Sequence, residues 1–184
     1  MNTYLTENKP LLEDNFLSIR EAYSIILSDL NALEKIITDK MPTNFENIGF
    51  ILKAFPEAKI IHVQRNPIAT CWSNYKQYFS SKGLGYCCDL RDLVTYYGLY
   101  KELMKLWNSE YDDRIYNLNY EDLTTDQENQ TRKLITHLNL PWEDACLSPQ
   151  KNKRSVRTAS QQQVRQEVYK GSSEAWRKYE PYLN

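Results

Sequence analysis

Arg65, Asn66 and Pro67 are the residues whose types and order most clearly suggest chemistry. An arginine is a permanent cation whose planar fork can grip an oxyanion through two parallel hydrogen bonds. Asparagine caps helices, and proline is pre-set for the first helical position. The apolar run from Lys59 to Val63 just before them has the length and composition of a buried parallel strand. A strand that turns at once into a helix here would point the helix's unpaired N–H groups and positive dipole end the same way as Arg65. The junction is therefore a candidate anion-binding corner. A surface ion pair at an ordinary strand-to-helix turn is the plainer account of the same residues.

The elements that must position this corner follow from periodicity. Residues 1–13 form a lead-in. Phe16, Ile19, Tyr23, Ile26, Leu27, Leu30 and Leu33 fall three or four apart, which predicts a helix from Asn15 to Leu33 with one apolar face. KIITD (35–39) is a second short strand pattern, with Lys40-Met41-Pro42 as its exit loop, and a helix is expected from about Phe45 to Ala54. After the helix that begins at Pro67, KGLGY reads as a turn, its two glycines too few to be a phosphate loop. Asp89 can cap a helix from about Leu90 to Trp107, whose aromatic stripe reads as core packing. RIYNLNY (114–120) alternates as a third strand. Thr125 or Asp126 can cap a helix from about Gln127 to Leu138, and a final amphipathic helix is expected around Ser172 to Tyr179. Helices alternating with short apolar strands predict an α/β fold with a parallel sheet in a single domain.

Composition limits the function classes. The chain has 184 residues, 41% of them hydrophobic, and a net charge of −1, enough for one domain with a real core. The near-neutral total hides a basic C-terminal stretch: from Lys151 onward there are eight Lys and Arg against three Glu. That stretch is either a phosphate-binding region or a solvated face. Cys71, Cys87, Cys88 and Cys146 form no metal-ligand spacing, even with His62 and His137 added, so reduced thiols and no metal are expected. No secretory signal pattern or bilayer-length apolar run is present, so a cytoplasmic protein with no membrane or nucleic-acid partner is expected.

Arg65 followed by Asn66-Pro67, with Ser73 eight residues after the arginine, resembles the 3′-phosphate-binding motif of sulfotransferases that use 3′-phosphoadenosine 5′-phosphosulfate. KIITDKMP before the corner, RIYNLNYEDL after it, and the later RTASQQQVRQEVYKGSSEAWRKYEPYL extend the likeness over roughly residues 35–184. The last of these, with NQTRKLITHLNLPWEDACL before it, looks most like bacterial tetratricopeptide-linked sulfotransferases, relatives of tyrosylprotein sulfotransferases. The resemblance implies the family's three-layer fold, similar to that of P-loop NTPases. It also implies that Arg65 and Ser73 bind the 3′-phosphate and that Tyr120 packs near the adenine. Ser160, Arg165 and Lys170 fall in the loop that closes over the donor in relatives. Lys40 matches a position after the second strand where tyrosylprotein-type members place a lysine, which can neutralise charge on the departing bridging oxygen. A surface loop lysine is the simpler account of Lys40.

One part of the family pattern has no match. The 5′-phosphosulfate loop, a strand and a Gly/Ser/Thr-rich turn leading into a helix, should lie upstream of KIITDKMP, yet no glycine occurs before Gly49. Such loops need small residues so that successive N–H groups can approach the phosphate oxygens. The expectation is therefore an N-terminally truncated sulfotransferase whose sheet lacks one strand. A homodimer, or a separate chain carrying the missing half, would cover that edge. The implied function is sulfuryl transfer to a hydroxyl acceptor, either protein tyrosine, a carbohydrate or a small alcohol. A noncatalytic nucleotide-binding remnant is the alternative, and a nucleotide kinase is disfavoured because no G-x-x-x-x-G-K-[S/T] sequence occurs.

Overall fold

The computed structural model describes residues 12–29, 36–79, 83–152 and 163–183. The chain divides into two compact units, Met1–Ala58 with Leu103–Glu110, and Lys59–Glu102 with Tyr111–Asn184.

In the first unit, helix α1 (Glu13–Asp29) opens with acidic residues that suit the positive end of its dipole. It packs against α2 (Ile48–Ala54), which follows a 3-10 helix over Pro42–Asn47. Phe16 meets Phe50 with ring centroids 6.4 Å apart, and Tyr23 meets Phe55 edge-on at 5.3 Å. Arg20 grips both carboxylate oxygens of Glu57, at 2.9 and 2.5 Å, and reaches the Ala54 carbonyl at 3.2 Å. Ile48, Leu52 and Ala54 are buried. The Trp107 indole donates to the Phe45 carbonyl at 2.7 Å, and its ring lies over Gly49 so closely that a Cβ there would stand 2.9 Å from Cη2.

Lys35 to Asp39 is expected as a strand; Lys35 lies outside the described residues, and positions 36–41 have no regular structure, with Ile36 and Ile37 57% and 43% exposed. β-branched residues supply the side-chain pattern of a strand, but a strand also needs a neighbouring backbone to take its N–H and C=O groups. No described segment pairs with this one. The first helix is present as α1; positions 30–33 of its expected span lie outside the described residues.

In the second unit, β1 (Ile60–Gln64) pairs in parallel with β2 (Ile115–Asn119), Ile60 opposite Ile115 and Gln64 opposite Asn119. Among the described residues the sheet has these two strands. Around them lie α3 (Pro67–Lys76), α4 (Leu90–Glu110, whose last two turns belong to the first unit), α5 (Tyr120–Thr125) and α6 (Gln127–His137). Asp89 caps α4 by accepting from the N–H groups of Arg91 at 2.7 Å and Asp92 at 3.1 Å. Lys59 closes the C-terminal end of α6 with a 2.6 Å bond to the His137 carbonyl, a cation at the negative end of the dipole. Ala69, Cys87, Leu93, Ile115, Leu118 and Trp176 are buried. On one sheet face the His62 ring bridges Asn117 Oδ1 at 2.8 Å and the Tyr100 hydroxyl at 2.6 Å.

The expected α-helix near the C-terminus is two 3-10 pieces, Ser172–Glu174 and Arg177–Tyr182. Pro181 lies inside the second and has no N–H to close an α-helical turn. The α/β character expected from the sequence is present as helices around a short parallel sheet.

Candidate anion-binding site

β1 ends at Gln64, so Arg65 leaves the sheet at its C-terminal edge, where ligands gather in open parallel sheets. Asn66 caps α3: its Oδ1 accepts from the Ala69 N–H at 2.9 Å, and Pro67 takes the first turn. β2 repeats the device, with Asn119 Oδ1 accepting from the Asp122 N–H at 2.8 Å as α5 begins. Because Gln64 and Asn119 are register partners, the two strand-to-helix junctions lie side by side. Tyr120 and Glu121 are thereby delivered to Arg65.

The guanidinium lies 5.3 Å from the centre of the Tyr120 ring, a cation–π contact. Glu121 Oε1 accepts from the Asn66 N–H at 3.1 Å, tying the start of one junction to the other. The remaining partners come from the C-terminal segment, which enters through Gly171 at φ +88°, a left-handed conformation suited to glycine. The Ser172 carbonyl accepts from Arg65 Nη2 at 2.7 Å, and Ser173 Oγ accepts from Nε at 3.1 Å. Ser173 gives its own hydrogen to Glu121 Oε1. The Ser172 hydroxyl pairs with that of Tyr120 at 2.9 Å. Trp72 of α3 packs against Tyr179 at 4.8 Å, so the C-terminal segment is anchored to the same helix.

Burial pushes the Glu121 carboxyl up. The Ser173 hydroxyl, the N–H groups of Asn66 and Glu121 itself, and the Arg65 charge outweigh it and hold the group below its ordinary range. Glu121 is thus a carboxylate that balances the arginine without touching it through a hydrogen bond. Arg65 Nη1 has no hydrogen bond to any described residue. What remains is a charged, planar donor end beside a helix N-terminus, suited to a phosphate or sulfate oxygen.

Of the residues singled out in the sequence, Arg65 and Tyr120 are brought together. Ser73 is exposed on α3, one turn beyond Ala69 and on the same side of the helix. Lys170 is exposed, next to Gly171, and Arg165 is exposed in a 3-10 turn over Gln163–Arg165. Ser160 lies outside the described residues. Lys40 is exposed in the first unit, in the irregular stretch before Pro42, and the corner is built wholly from residues of the second unit. Sequence reasoning missed Glu121, Ser172 and Ser173. The only signal for Glu121 was a carboxylate directly after the strand-ending Tyr120, and for the serines a Gly-Ser-Ser run within the basic stretch.

A family model described as "Sulfotransferase family" matches residues 6–144. The chain belongs to the sulfotransferase family. The matched span contains both strand-to-helix junctions of the sulfotransferase corner, begins within the stretch read as a lead-in, and ends before the Ser172-Ser173 contact. Relatives agree. An uncharacterised protein of Aquifex aeolicus is 39% identical over 168 residues, 90% of this chain and 22% of its own length. The omega-hydroxy-beta-dihydromenaquinone-9 sulfotransferase of Mycobacterium tuberculosis is 34% identical over 113 residues, 58% of this chain and 29% of that protein. Protein-tyrosine sulfotransferase 1 of Danio rerio is 29% identical over 111 residues, 60% of this chain and 31% of that protein. The chain thus spans between about a fifth and a third of the length of these relatives.

Proposed function

We propose that this chain supplies the 3′-phosphate side of the donor site of a sulfotransferase, binding 3′-phosphoadenosine 5′-phosphosulfate for sulfuryl transfer to a hydroxyl acceptor. The observation that carries this reading is the open Nη1 of Arg65 at the capped start of α3, in a chain of this family. A 3′-phosphate fits there: it is a dianion that can accept from a planar donor end and from a helix N-terminus together. Ser73 adds a hydroxyl donor from the second turn, Tyr120 an aromatic surface near the adenine, and Lys170 and Arg165 further charge. The two described strands are read as part of a larger parallel sheet in a three-layer, P-loop-like fold.

The donor, when bound, supplies the activated sulfuryl group. Lys40 is proposed to neutralise charge on the bridging oxygen as that group departs. The acceptor is proposed to be a hydroxyl, the group common to the omega-hydroxy compound and the protein tyrosine in the names of two relatives.

Titration calorimetry of the full chain with adenosine 3′,5′-bisphosphate and with adenosine 5′-monophosphate tests the binding half. The bisphosphate should bind at least tenfold more tightly, as expected for one charge-assisted contact. Equal affinities would remove the reading. Sulfate transfer from labelled donor to a tyrosine peptide or an alcohol tests the chemistry, and binding without transfer would make the chain a nucleotide-binding module.

A further inference from the structure

We propose that Ser173 and Glu121 are positioning residues that fix which edge of Arg65 meets the anion. This rests on the reading of Arg65 as a phosphate ligand. A guanidinium can present either its Nε–Nη2 edge or its Nη1–Nη2 end to an oxyanion, and the two presentations place the bound phosphorus differently. Here the Nε–Nη2 edge is occupied: Nε donates to Ser173 Oγ and Nη2 to the Ser172 carbonyl. The Nη1–Nη2 end is the one left for a ligand.

Ser173 can hold that edge because its own proton is committed elsewhere. Its side chain is buried, 5% exposed, and its hydroxyl gives its single hydrogen to Glu121. The lone pairs are then free to accept from Nε. Glu121 in turn is fixed by the Asn66 N–H, the residue that caps α3. The chain of bonds runs from helix cap to carboxylate to hydroxyl to guanidinium, so the aim of the arginine is referenced to the same helix N-terminus that would share the phosphate. Tyr120 beneath the guanidinium limits rotation out of that plane. Neither Ser173 nor Glu121 needs to touch the ligand.

The test is the preference of the full chain for adenosine 3′,5′-bisphosphate over adenosine 5′-monophosphate, measured by calorimetry alongside the melting temperature. Ser173→Ala should reduce that preference about tenfold, as expected for loss of one hydrogen bond to a charged group, while affinity for the monophosphate stays within about twofold. Ser173→Cys, close in shape but a poor acceptor, should show a smaller selective loss and covers the case in which the alanine variant does not fold. Glu121→Ala should also cut the preference, and the Ser173→Ala/Glu121→Ala double variant should lose no more than the worse single variant, because the two act as one unit. Full preference in folded Ser173→Ala or Ser173→Cys overturns the proposal. So does an equal loss for both nucleotides together with a lower melting temperature, which would mark a purely structural role. If the unaltered chain shows no preference, the reading of Arg65 itself has failed, a separate outcome visible before any variant is made.

Discussion

Arg65 and Lys40 are both cations, but they stand in different situations. Arg65 has two donors engaged and a planar end to spare, so its removal should be felt as lost binding. Hydrogen bonds to charged groups contribute about 1.5–3 kcal/mol each, and Arg65→Ala should weaken bisphosphate binding roughly ten- to a hundredfold by calorimetry. Arg65→Lys should recover only part of this, because an ammonium cannot make the paired contact. Lys40 is exposed and is proposed for the chemical step. Lys40→Met should therefore lower kcat by about a hundredfold and leave nucleotide affinity nearly unchanged. At this scale the sequence was informative where chemistry is local. Arg65, Asn66 and Pro67 are consecutive, and the cap forms as their types require. Glu121 and Ser173 were not legible, because a carboxylate and a serine signal nothing until the chain brings them to an arginine 108 positions from that serine.

Among the elements, helices with strong periodicity and a capping residue were readable. Asp89 and Asn66 open α4 and α3 at the expected positions. The strand pattern, over its described positions 36–39, and the C-terminal helix differ from expectation for different physical reasons. A strand is completed only by a partner, and 3-10 turns share the apolar spacing of a short α-helix, with Pro181 the one residue arguing for the tighter form. Gly49 was likewise silent in the sequence. Its missing side chain lets α2 approach Trp107, whose indole is fixed by the Phe45 carbonyl. Gly49→Ala should destabilise the fold by roughly 1–3 kcal/mol by overpacking despite the better helix propensity of alanine. The midpoint of urea unfolding measures it, and an unchanged or raised midpoint would show that the ring gives way.

For the molecule as a whole, acid should act in two stages. Burial holds the His62 imidazole below the ordinary value of 6.5, against the opposing bond to Asn117. The Tyr100 hydroxyl bonded to it is itself pushed up to about 12 by burial, so it stays neutral and offers no charge to the ring. With a depressed folded value, the unfolded chain takes up this proton first. Stability is complete above 6.5 and declines as pH falls from there towards the folded value. Glu121 adds a second loss beginning at its ordinary value of 4.5 and ending at its own lowered one. Urea midpoints measured across this range should fall in both windows, and His62→Gln should abolish the first alone. The contact between Arg65 and Ser173 also dictates an order of events during synthesis. The strand and helix that carry the arginine leave the ribosome before the hydroxyl that orients it, which follows 108 positions later. A nascent chain can therefore build the strand-to-helix corner before it can aim the arginine, whose final orientation waits for the segment that carries Ser173.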